Sequence, residues 1–161
     1  MKKKYEVTED SIVFNGHTLY RIRALRSIGG IQAGYWGGYV ESEDNLSHEG
    51  LCWVRGYAMV FENARVYDDA WLSDGAKAYG NAQVFGTASL YEHAQVYEDA
   101  SVYGRSYISG ITQICGTACV VGVKTIYIYG DTKIDHGIWT QFVKLDDKQY
   151  LLSSTLEKLR L

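Results

Sequence analysis

The chain of 161 residues has no proline, three cysteines, and only short apolar runs. A transmembrane helix needs about 20 consecutive apolar residues, so none is predicted. The cysteines, Cys52, Cys115 and Cys119, are too few and too scattered for a disulfide framework, which favours a reducing, cytoplasmic setting. No apolar stretch follows the basic residues at the N-terminus, so we expect no signal peptide.

The chain also lacks an excess of basic residues. Its formal net charge is −3, and the segment from Cys52 to Ile138 alone holds six basic and nine acidic residues. Proteins that bind nucleic acids usually carry a basic stripe. The charge distribution therefore argues against direct nucleic-acid binding.

A six-residue repeat dominates what is present. Alanine occupies every sixth position from Ala58 to Ala100, and a second apolar residue follows two positions after each alanine, as in Ala82 and Val84. Residues two apart on a strand point to the same side, whereas a period of six does not keep to one face of a helix. The polar pair that ends each unit suits a corner. The pattern predicts short strands and regular corners that coil and stack.

The repeat keeps one register over twelve units, from Cys52 to Val123. Lys124-Thr125 then inserts two residues, and weaker units continue to Ile138. The unit resembles the hexapeptide repeat of left-handed parallel β-helices, in which a small residue follows four positions after an aliphatic one. The resemblance implies an all-β, left-handed parallel β-helix of about four to five triangular coils, each built from three hexads.

The flanks of the repeat read as caps. Asn15-Gly16 lies between two strand-like stretches and predicts a β-hairpin. Asp146-Asp147-Lys148 predicts a second hairpin, and Ser154 with Glu157 fits a capping box that opens a short helix to Leu161. Because the ends of a solenoid must be covered, both flanks have a sufficient structural purpose.

We therefore predict one structural domain in three segments. They are an N-terminal β cap at 1–51, the hexapeptide-repeat β-helix at 52–138, and a C-terminal cap at 139–161.

Outward-facing aromatic residues are the first candidates for a binding surface. They are Phe61, Tyr79 and Tyr97 in one row, Tyr67, Phe85 and Tyr103 in a second, and Trp71 and Tyr91 near the third. Stacked aromatic side chains stabilise neighbouring rungs. Tyrosine is also enriched at protein interfaces. The rows can therefore be structural ladders, an interface, or both.

Acidic residues at the corners are the second candidates. The positions are Glu62, Asp68, Asp69, Glu98 and Asp99. One interpretation is that they are solvated turns that keep the edges of the solenoid soluble. The other is a negatively charged surface that occupies a basic groove of another protein.

An enzymatic function stays open at this stage. Many left-handed β-helix proteins are acyl-CoA-dependent acyltransferases that act as trimers, in which a histidine deprotonates the acceptor. The candidates here are His93 at a corner and His136 beside Asp135. No long loop interrupts the twelve hexads, and no basic cluster suits the phosphates of CoA. Acetyl-CoA or another acyl-CoA is expected as cofactor only if the protein is such an enzyme, and no cofactor is expected otherwise.

The cysteines offer no metal site by their spacing. Cys115 and Cys119 are four residues apart, but no second pair or nearby histidine completes a zinc set. We therefore expect no bound metal.

The first 51 residues add a further resemblance. The stretches 21–25, 37–40 and 43–47 resemble small bacterial and phage proteins that carry hexapeptide-repeat transferase or polymer-forming labels. Such labels reflect the fold, which does not imply function. We expect a non-catalytic protein-binding or scaffold β-helix in the cytoplasm, for example a phage-encoded, anti-CRISPR-like inhibitor of a bacterial defence system.

The expected partners follow from the outer surface. They are a host protein, or other copies of the chain in a dimer or trimer, and no membrane. Two alternative functions stay open: an acyltransferase, and a sponge that holds a small nucleotide between subunits through tyrosines.

Overall fold

The computed structural model describes residues 2–145 and 148–153, with side chains from residue 2 to residue 140. The predicted helix from Ser154 to Leu161 lies outside the described residues. A 3-10 turn at Glu43–Asn45 interrupts an otherwise β structure. No helix in the described part of the chain is long and apolar enough to cross a membrane. The strands are β1 (Tyr5–Phe14), β2 (His17–Ala24), β3 (Trp36–Val40), β4 (Trp53–Val54), β5 (Met59–Val60), β6 (Arg65–Val66), β7 (Trp71–Leu72), β8 (Lys77–Ala78), β9 (Gln83–Val84), β10 (Ser89–Leu90), β11 (Gln95–Val96), β12 (Ser101–Ile108), β13 (Gln113–Ile114), β14 (Cys119–Ile128), β15 (Lys133–Ile134), β16 (Ile138–Leu145) and β17 (Lys148–Ser153).

Parallel strands stack in three columns, which we call faces 1, 2 and 3. Face 1 contains β3, β5, β8, β11, β13 and β15. Face 2 contains β6, β9 and the first halves of β12 and β14. Face 3 contains β4, β7, β10 and the second halves of β12 and β14. The protein is a parallel β-solenoid, which confirms the predicted fold class.

The rungs follow the period of the sequence. Met59 pairs with Lys77, and Lys77 pairs with Gln95, so neighbouring rungs are 18 residues apart. On β14 the register shifts after Gly122 by the two inserted residues, Lys124-Thr125, and Ser106 therefore pairs with Ile126. The insertion is absorbed at one corner, and the stacking continues beyond it.

The interior holds the repeat residues as predicted. Every alanine from Ala58 to Ala100 in the six-residue series is fully buried, as are the aliphatic residues that follow them. Ser106 and Thr112 replace alanine in two later units and are also buried. Their hydroxyls donate to the carbonyls of Tyr103, at 2.7 Å, and Gly130, at 3.4 Å. Buried hydroxyls are tolerated here because each has an acceptor.

The N-terminal hairpin forms as predicted. β1 and β2 are antiparallel, and the turn between them has Asn15 at φ 49° and Gly16 at φ 84°. Positive φ at both positions matches the twist that a two-residue hairpin requires. β2 also pairs with β3, which attaches the hairpin to face 1. At the other end, β16 and β17 form the second antiparallel pair.

The parallel stack begins before the sequence repeat becomes visible. β3 pairs with β5, and Leu46 forms a parallel bridge with Val66. The glycine-rich stretch at 29–38 therefore ends inside the first parallel strand, because Gly37 and Gly38 lie within β3.

A buried lysine fastens the N-terminus to the first coil. The Lys4 side chain is fully buried, and its Nζ donates to the carbonyls of Cys52, at 2.8 Å, and Glu49, at 3.2 Å. Burial lowers the pKa of Lys4. Removal of this side chain would leave buried carbonyls without a donor.

Candidate protein-binding faces

Face 1 uses its aromatic ladder for internal packing. The rings of Phe61, Tyr79 and Tyr97 are stacked with centroids 5.0 Å apart. The β1–β2 hairpin covers the first ring, because Phe14 packs edge-on against Phe61 at 5.8 Å. Phe61 is only 2% exposed. The first ring of this predicted surface is therefore occupied by the protein's own N-terminus.

A histidine holds the hairpin to face 1. Nδ1 of His17 lies 2.9 Å from Oε1 of Glu41, and its Nε2 lies 3.3 Å from Oε1 of Glu62. The hydrogen bond to Glu41 is the main cause that raises the pKa of His17, and the same bond lowers the pKa of Glu41. The imidazolium form is therefore the one that fastens the hairpin.

This contact predicts a pH-dependent stability. The contribution of His17 to the stability of the fold is complete below its unfolded pKa of about 6.5. It is lost as pH rises through the higher pKa of the folded state. The contribution of Glu41 is lost as pH falls below about 4.5, through its lowered folded pKa. We expect His17→Gln to lower the thermal midpoint most between about pH 4.5 and 6.5. Thr18→Gln on the same hairpin is the control, and identical pH profiles for His17→Gln and wild type would contradict the assignment.

Face 2 carries the second ladder, and it stays uncovered by the described residues. Phe85 lies between Tyr67, at 4.7 Å, and Tyr103, at 4.5 Å, with ring planes within 11° of parallel. The Tyr67 hydroxyl donates to Oε1 of Gln83 at 2.9 Å. Burial raises the pKa of Tyr67, so its hydroxyl stays a neutral donor. The ring faces cover one another, and the ladder therefore presents ring edges at the surface.

A cleft opens at the N-terminal end of face 2. Its volume is about 600 Å³. Tyr67, Arg65 and Gln83 form its floor, and Glu43 and Asp44 of the 3-10 turn form one wall. The buried Asn45 side chain fixes this turn by donating to the carbonyls of Glu62 and Ala64. The cleft is continuous with the ladder because Tyr67 belongs to both.

All five candidate acids flank face 2, and each also connects neighbouring rungs. Glu62, Asp68 and Glu98 have left-handed backbone conformations, with φ from 55° to 58°. Their carboxylates accept the backbone N–H of the residue 18 positions later, at 2.6, 3.1 and 2.6 Å. Asp69 accepts the N–H of Leu51, and Asp99 accepts from the side chain of Asn81. The corners are therefore more than solvated turns.

Face 3 is rich in aromatic side chains and carries no charged group on its rungs from β7 to β14. The third ladder of the protein lies on this face and contains Tyr91, Tyr107 and Tyr127, with ring centroids 6.3 and 5.1 Å apart. Tyr127 and Tyr129 are exposed by 59% and 47%. The sequence interpretation placed Tyr91 and Trp71 on this side but did not include Tyr127 and Tyr129 in a surface.

The candidate histidines lie apart from one another. His93 is exposed at the corner between faces 3 and 1, and within the described residues its side chain has no hydrogen bond or ion pair. His136 contacts the carboxylate of Asp135, and both side chains are largely exposed. That contact lowers the pKa of Asp135. Neither histidine lies in a cavity that would exclude water from a reaction.

No family model and no curated protein matches this chain. Among the described residues no group of three or more His, Cys, Asp or Glu is placed to hold a metal ion.

Proposed function

We propose that the protein is a non-catalytic binding solenoid, and that face 2 binds a basic and partly apolar segment of another protein. The observation that carries the proposal is the aromatic ladder of Tyr67, Phe85 and Tyr103 bordered by five acidic side chains. Tyrosine and phenylalanine suit the apolar centre of an interface. The acidic borders attract a basic partner and speed its association.

The cleft supports a basic side chain as the anchor of that partner. Tyr67 is the first ring of its ladder, so one of its ring faces is not covered by another ladder ring. Glu43 and Asp44 line the same cleft. An arginine of the partner can stack on the ring and pair with a carboxylate, which combines cation–π and ionic attraction.

A nucleotide sponge has less support from this geometry. Stacking of a base requires an exposed aromatic face. In the ladder of face 2, each ring covers its neighbour at less than 5 Å, so few such faces are available. An acyltransferase stays the alternative that the resemblance implies, with His93 as its general base.

The handedness of the coil, the type of repeat and the origin of the protein are further parts of the proposal. We infer a left-handed coil of the hexapeptide-repeat type from the small–x–aliphatic unit. A host protein in the cytoplasm, with the present protein as a phage-encoded inhibitor, is the partner that the resemblance of the first 51 residues suggests.

A charge placed beside the ladder tests face 2 as the binding face. Ser101 lies on face 2 between Gln83 and Cys119, and Ser89 occupies the same hexad position on face 3. We expect immobilised wild type to retain a basic protein from a bacterial lysate, with affinity that falls as salt rises. Ser101→Arg should weaken this binding by about tenfold or more. Ser89→Arg is the matched control.

Two results would contradict the proposal. One is equal retention of the basic protein by Ser101→Arg and wild type. The other is acetyl-CoA turnover by the wild type that disappears in His93→Ala, which would establish the acyltransferase.

A further inference from the structure

Face 3 has the composition of an interface centre. On the four rungs from β7 to β14, the eight positions beside the buried aliphatic residues hold five aromatic side chains, three serines and no charged group; they are Trp71, Ser73, Ser89, Tyr91, Tyr107, Ser109, Tyr127 and Tyr129. Ser73 is itself only 8% exposed, and the exposed Arg55 follows the rung before them. Interface centres are depleted of charge and enriched in tyrosine and tryptophan. Tyrosine with serine is also the mixture that antibody binding loops use.

The large and small residues alternate on this face in a self-complementary way. One row, before the aliphatic positions, reads Trp71, Ser89, Tyr107, Tyr127, and the other row reads Ser73, Tyr91, Ser109, Tyr129. A two-fold axis parallel to the strands, midway between the second and third of these rungs, places position 89 opposite 107 of a second copy. The same axis places 91 opposite 109 and 73 opposite 129. Three of the four opposed pairs then join a serine to a tyrosine, as an isologous contact requires.

A groove at one end of face 3 completes this complementarity. It has a volume of about 480 Å³ and lies where the N-terminal cap meets the solenoid, between Tyr35, Ile31, Arg55 and Trp71. The protruding Tyr127 lies at the opposite end of the same face. An antiparallel arrangement brings Tyr127 of each copy to the groove of the other. We propose that face 3 binds face 3 of a second copy of this chain in an antiparallel dimer.

The charges at the edges of face 3 favour the antiparallel arrangement over a parallel one. A two-fold axis along the stack also opposes large to small residues. However, it sets Asp68 and Asp69 of one copy beside Asp74 of the other, and the pairing of Lys124 with Asp131 offsets only part of this repulsion. The antiparallel arrangement sets the same two residues beside Lys124 instead, and leaves one unfavourable pair, Asp74 with Asp131, at the other edge. Like charges that face each other across an interface suppress the wrong geometry.

The size of the face sets the expected affinity. Four rungs at about 4.8 Å each give a contact about 19 Å long. This is smaller than a standard interface, which buries about 800 Å² on each partner. We therefore expect a reversible dimer with a dissociation constant of the order of 10 µM.

Sedimentation equilibrium of the full chain over the micromolar range tests the dimer. Wild type should pass from monomer to dimer, and Ser89→Arg should weaken association by about tenfold or more, because it places a charge opposite Tyr107. Ser101→Arg, the same change on face 2, should leave the dimer intact. The proposal is therefore independent of the proposed function of face 2, and each variant serves as the control for the other.

Disulfide trapping tests the antiparallel arrangement. A mixture of Trp71→Cys chains and Tyr127→Cys chains, which the antiparallel arrangement places opposite each other, should form a cross-linked species with one chain of each kind under mild oxidation. Either variant alone should stay uncross-linked, as should wild type.

Three outcomes would overturn the proposal. Wild type that stays monomeric over the whole concentration range rejects self-association. The same holds if wild type is monomeric and Ser89→Arg abolishes the binding of a different protein. A dimer that tolerates Ser89→Arg rejects face 3. A dimer on face 3 without the mixed cross-link rejects the antiparallel arrangement.

Discussion

Gly38→Ala should destabilise the protein by about 3 kcal/mol, although it adds only one methyl group. Gly38 lies in β3, the first rung of face 1. A Cβ at this position would be 2.5 Å from the carbonyl oxygen of Ala58 and 2.8 Å from Cγ1 of Val54. The oxygen cannot move away freely, because it accepts the backbone N–H of Tyr39 at 2.9 Å. Relief of the clash must therefore separate the first two rungs of the solenoid.

Gly30→Ala is the matched control for this substitution. No atom lies within 4 Å of a Cβ at Gly30, and its backbone is not in the left-handed region. We expect Gly30→Ala to leave stability unchanged within about 0.5 kcal/mol. Thermal and urea unfolding followed by circular dichroism measure both variants, and the loss for Gly38→Ala corresponds to about 9 °C in the thermal midpoint. Equal midpoints for the two variants would show that β3 is not packed as a rung.

The position of Gly38 also explains what the sequence could predict of the fold. Gly38, Tyr39 and Val40 obey the small–x–aliphatic rule, with glycine in place of alanine. The rung at Val40 lies 20 residues before its partner Val60, because two extra residues interrupt the register before Val54. A search for an unbroken period of six therefore begins at Cys52. The repeat predicts the solenoid well, but an insertion hides its first coil.

Two of the three aromatic ladders are predictable from the sequence, and the third is not. The ladders of Phe61 and Tyr67 follow directly from the period, since their members occupy equivalent positions in successive coils. The ladder on face 3 joins Tyr91 to Tyr107, which occupy different positions of their hexads. Its next ring, Tyr127, follows the inserted residues. The hairpin covers Phe61 on face 1 through tertiary packing, and no local sequence pattern predicts this contact.

Glu98→Val should cost about 3 kcal/mol at an exposed corner, where most substitutions are neutral. Glu98 has φ 58°, a conformation that β-branched residues adopt only with strain. Its carboxylate also accepts the N–H of Gly116 at 2.6 Å, a donor that the stacked backbone leaves without another acceptor. Valine therefore loses a charge-assisted hydrogen bond and adds backbone strain at the same site.

A substitution series at this corner separates the loss of the hydrogen bond from the backbone strain. Glu98→Gln keeps an acceptor, so we expect a loss below about 1 kcal/mol. Glu98→Gly loses the acceptor but removes the left-handed strain of about 1 kcal/mol, so the two effects should nearly cancel. Thr117→Val is the control, because Thr117 lies at a corner of the next coil without a positive φ. Equal stability of Glu98→Val and Thr117→Val in urea unfolding would show that the corner carboxylate is only a solvated side chain. The predicted order, with valine far below glycine, would instead show that glycine and acidic residues share these corner positions because the backbone there is left-handed.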